Sequence, residues 1–327
     1  MASAFGYSSP VTHDLSTFFF NATVSKSRPG AYRTVMDAIA KAPTHSRSRY
    51  YIHVEAAVYN EIVLVPKSKT NIALIGDGAD VTKITMNRKV PDFQTWQTAT
   101  VSVLGEGFMA QYIAFENSAG ECSQAVAFMS KSEESSFYKC SFIGYHDTVY
   151  ARAGKQFYRE CDIYGTVDFI FGNAAAVFQR CNLYARQANR VITFTAQGKK
   201  EDGKKSGFVI QYCNLTTAPQ IQSSKNTADA YLGRPWFSLS TVVVMQSFLD
   251  DIINPAGWFK WSGHSTNKVT YREYNNWGPG AAVDGRVSWQ GYRILNQSSE
   301  VMQFTVGQFI NGDSWIPETG IPYTSGL

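Results

Sequence analysis

With 327 residues, 44% of them hydrophobic and 17% charged, the chain has the material for one large core and too much of it for a disordered segment. A net charge of +4 suits an anionic partner, yet no Lys/Arg run is long enough for a nucleic-acid surface, and KKEDGKK at 199–205 mixes signs as a solvated loop does. No apolar stretch approaches the roughly 18 residues of a membrane-spanning helix, and the opening MASAFGYSSPVTHDL lacks the basic and apolar regions of a signal peptide.

Residues 1–24 read as an N-terminal arm on a single domain covering 1–327, and little periodicity appears before residue 30. TVMDAIAK (34–41) patterns as a short helix with Ala38 and Ile39 inward. YYIHVEAAVYNEIVLV (50–65), NIALIGDGADVTKITM (71–86) and ATVSVLGEGFMAQYIAFENSAG (99–120) are β-rich and broken by Gly and Asp. The last stretch, from YREYNNWGPG to QFTVGQFINGDSWIP, reads as loops and short helices packed on a flank. Triplets of the form N-x-S/T make Asn21, Asn214 and Asn296 glycosylation candidates.

The middle of the chain repeats. YKCSF, RECDI and QRCNL centre on Cys140, Cys161 and Cys181, at spacings of 21 and 20 residues. A fixed period of that length marks stacked coils, each completing a core that its neighbour began. AQYIAFEN, with Tyr112 at the Cys position, QYCNLTT at Cys213 and MQSFLDD with Ser247 extend the series. Together these predict an all-β chain, a right-handed parallel β-helix with short flanking helices and loops; propeller blades would need periods of roughly 40 residues. The aligned cysteines are either a stack of small buried hydrophobes or include a bond between two neighbours. No C-x-x-C spacing occurs and the histidines are scattered, so neither a zinc site nor another metal is expected.

Asp147 and Asp168 each follow a repeat cysteine by seven residues. In register, they sit one above the other with backbones about 4.8 Å apart. Two carboxylates that close cannot both ionise freely, so one pKa rises, and an acid and a nucleophile arise from one residue type. Carboxylates about 5 Å apart also serve retaining glycosidases. A lyase would want a cluster of acidic calcium ligands, and none is evident.

GYHDTVY, GTVDFIFGNAA, QAVAF, YLGRPW and NPAGW carry a resemblance. With GAYRTVMDAI, LIGDG (74–78), TAQG (195–198) and GPGAAVDGRV (278–287), they are similar to segments of the pectinesterase family, the pectin methylesterases, and to its plant branch most closely. The resemblance runs from about residue 24 to the end. It implies a parallel β-helix that hydrolyses the methyl esters of galacturonate units in cell-wall pectin, methyl-esterified homogalacturonan, without a cofactor. It also implies a secreted, extracellular monomer and, as a partner, a small helical pectin methylesterase inhibitor protein.

Carried over by motif, Asp168 in GTVDFIFG matches the nucleophile, and Asp147 in GYHDTVY the acid that becomes a base. Gln124 in QAVAF matches an oxyanion donor and substrate contact. Arg234 and Trp236 in LGRPW match residues that hold the nucleophile and touch the sugar, Trp258 in NPAGW a groove aromatic, and Thr95 a substrate-contacting threonine. Cys161 and Cys181 match a pair that is disulfide-bonded in many plant members. The chain departs from the family pattern at His146, where glutamine is usual, and at Ala57, where glycine is usual. His146 adjoins the oxyanion site, and its donor capacity depends on which ring nitrogen carries a proton, so the alternatives to an active esterase with a pH-sensitive oxyanion site are a weakly active or a non-catalytic pectin-binding relative.

Overall fold

The structure is a computed structural model that describes residues 15, 18–121, 123–189, 191–203, 205–219 and 228–327. Its unit is one coil of three strands. Ser135–Tyr138, Ser141–Ile143 and Val149–Ala151 each enter a different sheet. The next coil lays Lys155–Arg159, Asp162–Gly165 and Ile170–Gly172 directly on them, in parallel. Among the described residues the three sheets reach eleven, eight and six strands, and the whole is the expected right-handed parallel β-helix.

The patterning of each strand follows from what covers it. Strands in the middle of the eleven-stranded sheet are buried on both faces, and several are nearly continuous apolar runs, such as AAVFQ at Ala175–Gln179 and TVVVM at Thr241–Met245. The sheet's inner face joins the central core, where Phe137, Tyr158 and Phe178 stack at centroid spacings of 4.5 Å. Its outer face, with Ile75, Val177, Val209 and Val243, is covered by Val301, Phe304, Phe309, Ile310 and Ile316 of the C-terminal turns. These are the flanking helices expected from the sequence. In the eight-stranded sheet, Asp162–Gly165 and Asn182–Ala185 alternate, because one face meets solvent.

The corner between the first two strands of each coil explains the cysteine motif. Lys139, Glu160, Arg180, Tyr212 and Gln246 occupy it with φ between 49° and 55°. The next residue turns inward, so Cys140, Cys161, Cys181, Cys213 and Ser247 form one buried column. Tyr112 does not belong to that column. Its φ of 57° makes it the corner residue, and the pairing of Ala114 with Ser141 puts Ile113 at the cysteine position. The sequence alignment is off by one there.

The expected Cys161–Cys181 disulfide is also corrected: both are free, buried thiols. Stacking in register points them the same way. Each Sγ donates to a carbonyl of its own coil, Cys161 to Arg159 at 3.4 Å and Cys181 to Gln179 at 3.7 Å.

Helix Val35–Lys41 forms as expected, capped by the Thr34 hydroxyl, with Val35, Ala38 and Ile39 inward. The arm is shorter than the expected 1–24, because Ala22–Val24 is already the first strand, paired with Ile52–Val54. Much of the remaining arm lies outside the described residues. Asn21, Asn214 and Asn296 are all exposed. The free-thiol column makes a prediction. Alkylation in denaturant without reductant labels Cys161 and Cys181 fully, and a peptide map showing both unlabelled and linked would contradict it.

Candidate active site

Asp147 and Asp168 each lie two residues before a strand of the six-stranded sheet, and Val149 pairs with Ile170. The aspartates are therefore stacked, as their spacing predicts, and the Asp147 N–H donates to the Val167 carbonyl at 3.1 Å. Both adopt left-handed backbone, with φ of 67° and 50°. Aspartate tolerates that region better than most residues, and such strain gathers at functional sites.

Asp168 is clamped. Arg234 Nε donates to its Oδ1 at 2.8 Å and Nη2 to its Oδ2 at 2.7 Å. The Thr193 hydroxyl donates to Oδ1 at 2.6 Å and accepts from the Asp168 N–H at 2.8 Å. A bidentate guanidinium holds a carboxylate charged and fixed in direction. Arg234 reaches it because LGRPW runs beside Thr195–Gln197, with the Arg234 N–H on the Thr195 carbonyl at 2.9 Å and the Trp236 N–H on Gln197 at 3.1 Å. Gly233 is required at that approach: a Cβ there would stand 2.0 Å from Thr195 Oγ1.

Asp147 is in the opposite state. Burial, and after it the negative charge of Asp168, push its carboxyl well above the usual 3.8, against the smaller pull of Arg234 and a hydrogen bond with Gln124. It holds its proton where Asp168 is salt-bridged. Gln124 and His146 bridge across adjacent coils, which puts the Gln124 amide at the aspartates. His146 Nε2 lies 3.6 Å from Asp147 Oδ1 and faces an adjoining hollow with Glu121, Val167 and Arg234. Ligand atoms of His146, Asp147 and Asp168 all fall within 4.8 Å of one another. The guanidinium already on both Asp168 oxygens opposes a cation there.

The pair opens into a cleft of about 390 Å³ walled by Thr95, Trp96, Tyr150, Phe171, Trp236 and Trp261. Thr95 and Trp236 are where the sequence motifs put them. Trp258 is not: it is 1% exposed, packs on Tyr271 at 4.3 Å and donates from Nε1 to Glu273. That indole is a core residue, and the groove aromatic is Trp261, whose ring lies 4.0 Å from the Arg234 guanidinium carbon. Sequence reasoning also missed Thr193. It occupies the next position in the Asp147–Asp168 column, since Ile170 pairs with Thr195, but a longer loop stretches that interval to 25 residues.

A parallel β-helix bearing a clamped carboxylate beside a proton-holding one, in an aromatic-walled cleft, has the parts of an aspartate-based hydrolase. The chain belongs to the pectinesterase family, whose model matches residues 21–313. It is 47% identical over 311 residues to Pectinesterase 2 of Citrus sinensis, covering 94% of this chain and 61% of that protein. It is 46% identical to Probable pectinesterase/pectinesterase inhibitor 32 of Arabidopsis thaliana, covering 94% and 59%. The chain thus spans about 60% of the length of these curated relatives. Among solved structures, the pectin methylesterase from carrot superposes with a TM-score of 0.93 at 43% identity, over 95% of this chain and 99% of that one. The Aspergillus niger enzyme gives 0.77 at 31%, over 90% and 95%.

The raised pKa of Asp147 has a stability consequence. Above 3.8 the unfolded aspartate has lost its proton while the folded one keeps it, so Asp147 lowers stability as pH rises toward its folded pKa. Asp147→Asn removes this loss. The variant's gain in urea midpoint over the parent grows as pH rises above the unfolded value of 3.8; a gain independent of pH would mean that Asp147 titrates as an ordinary aspartate.

Proposed function

We propose that the chain is a pectin methylesterase, a carboxylic ester hydrolase releasing methanol from methyl-esterified galacturonan. The observation that carries this is the bidentate Arg234–Asp168 pair stacked in register beneath a carboxyl that keeps its proton. Asp168 attacks the ester carbonyl carbon, and a tetrahedral oxyanion forms. The Gln124 amide donates to that oxyanion, an interaction worth roughly 10²–10³ in rate. The intermediate collapses with loss of methoxide, which takes the Asp147 proton and leaves as methanol. An acyl–Asp168 anhydride remains. Asp147, now ionised, removes a proton from water, the hydroxide attacks the acyl carbon, and free galacturonate and Asp168 carboxylate are regenerated. The aromatic wall of Tyr150, Phe171, Trp236 and Trp261 offers faces for sugar rings.

A retaining glycosidase has carboxyls at a similar separation, but it needs them on opposite sides of the scissile bond. Here both come from neighbouring coils of one sheet edge, and a guanidinium occupies one of them. On this reading the substrate is cell-wall pectin, and the chain acts outside the cell. A pectin methylesterase inhibitor protein would cover the same cleft.

Asp168→Asn, which keeps the shape and removes the nucleophile, lowers methanol release from methylated pectin by about 10³-fold or more. Comparable turnover in that variant, or new reducing ends from the parent, would reject the assignment. A second test concerns His146. When protonated, the imidazole 3.6 Å from Asp147 favours loss of the proton that the leaving group needs. His146→Gln therefore turns over faster than the parent on the acidic limb and alike on the alkaline limb. Superimposable pH profiles would remove His146 from the chemistry.

A further inference from the structure

We infer that Arg186 is a positioning residue: its guanidinium ties together the two turns that carry Asp147 and Asp168, and so fixes acid against nucleophile from outside the cleft; this rests on the esterase reading above. The two turns are equivalent parts of adjacent coils. Gly144 stands three residues before Asp147, and Gly165 three before Asp168. Ala185 pairs with Gly165, so Arg186 opens the corresponding turn one coil further on. Its N–H donates to the Gly165 carbonyl at 2.8 Å. Its side chain reaches back past that coil, and Nη1 donates to the Gly144 carbonyl at 3.0 Å. The guanidinium carbon lies 3.7 Å from the centre of the Tyr145 ring, a cation over an aromatic face. One residue thus holds the start of both turns.

Between the turns run backbone bonds, from the Thr166 N–H to the Tyr145 carbonyl at 2.9 Å and from the Asp147 N–H to the Val167 carbonyl at 3.1 Å. Both aspartates sit in left-handed backbone, a strain that persists where the surroundings over-determine a turn. Arg186 supplies such a constraint. It stands in a hollow of about 650 Å³ on the outer face of the eight-stranded sheet, with Tyr145, Asp162 and Tyr164, and is not among the residues that wall the cleft. It therefore acts on the aspartates through the backbone of their turns. Two requirements of the reaction depend on that backbone: Asp147 must reach the leaving group while Asp168 attacks, and it must stay buried to hold its proton. A turn freed from Arg186 separates the pair and admits water. A misplacement of about 1 Å can cost about 10²-fold in rate, and hydration draws the Asp147 carboxyl back toward the usual 3.8. The charged and titratable groups around Asp147 are Asp168, Arg234, His146 and Tyr150, and those around Arg186 are Tyr145, Glu116, Tyr164 and Glu121. All of them stay in place in the variants below.

The test measures kcat and KM for methanol release from methyl-esterified galacturonan across a pH series, with the urea midpoint of each protein. Arg186→Met keeps the aliphatic stem and loses the tie. Its kcat falls about tenfold, its KM is unchanged, and the alkaline limb of its kcat profile moves to lower pH. Removing a cation would by itself move that limb the other way, to higher pH, so the sign separates position from charge. Arg186→Lys, which keeps a donor and a cation for the Tyr145 ring without the planar fork, falls between parent and Arg186→Met. A lower urea midpoint with parent-like kcat and limb in either variant would make Arg186 a stability residue alone. A raised KM at unchanged kcat would put it in substrate contact. Each of these overturns the proposal, and the lysine variant decides it if the methionine variant does not fold. No methanol from the parent would instead overturn the esterase reading, and this one with it.

Discussion

The structure depends on the parallel, in-register stacking of coils. One strand spacing, about 4.8 Å, separates each residue from its equivalent in the next coil. Every column then becomes a device: thiols in the core, aromatics at 4.5 Å, aspartates at the cleft. A slip of one residue between the coils of Val149 and Ile170 would turn one aspartate away from the other. The inward residue after each left-handed corner guards against such a slip, because a buried thiol cannot be exchanged for the half-exposed lysine or glutamate beside it without cost.

Stacking brings like charges together, and a single arginine makes them unlike. Arg234 spends two donors on Asp168 and reaches Asp147 only through space. Burial is the larger influence, since it penalises the charged form of Asp147, on which no guanidinium is clamped. Which carboxylate is clamped and which keeps its proton is therefore decided by which one the LGRPW loop can reach. That loop is held by backbone bonds to Thr195–Gln197 and by the close approach of Gly233. The asymmetry of the pair thus depends on packing between segments 66 residues apart.

The cleft wall shows the same economy of position. Trp258 and Trp261 belong to one loop, yet one is buried against Tyr271 and bound to Glu273 and the other faces the guanidinium of Arg234. Tyr150 and Phe171 stack at 4.3 Å because they are paired residues of adjacent strands, as Asp147 and Asp168 are. The same register that aligns the carboxylates builds the aromatic wall beside them.

The coil period, the cysteine column from Cys140 to Cys213 and the stacking of Asp147 on Asp168 were legible in the sequence, because in-register repetition is a local property written at fixed intervals. The motifs also marked Gln124, Arg234, Trp236 and Thr95. What lay beyond reach was set by contacts between coils and loops of unequal length. Thr193 was hidden by a 25-residue interval, Tyr112 was mistaken for a core position because a corner residue can be aromatic, and Trp258 was mistaken for Trp261 because burial of an indole depends on what packs over it. Whether Cys161 and Cys181 are bonded, and which aspartate keeps its proton, followed only from side-chain direction and local charge. The period could be read from residue order alone, whereas those outcomes are energies of groups brought together from distant parts of the chain.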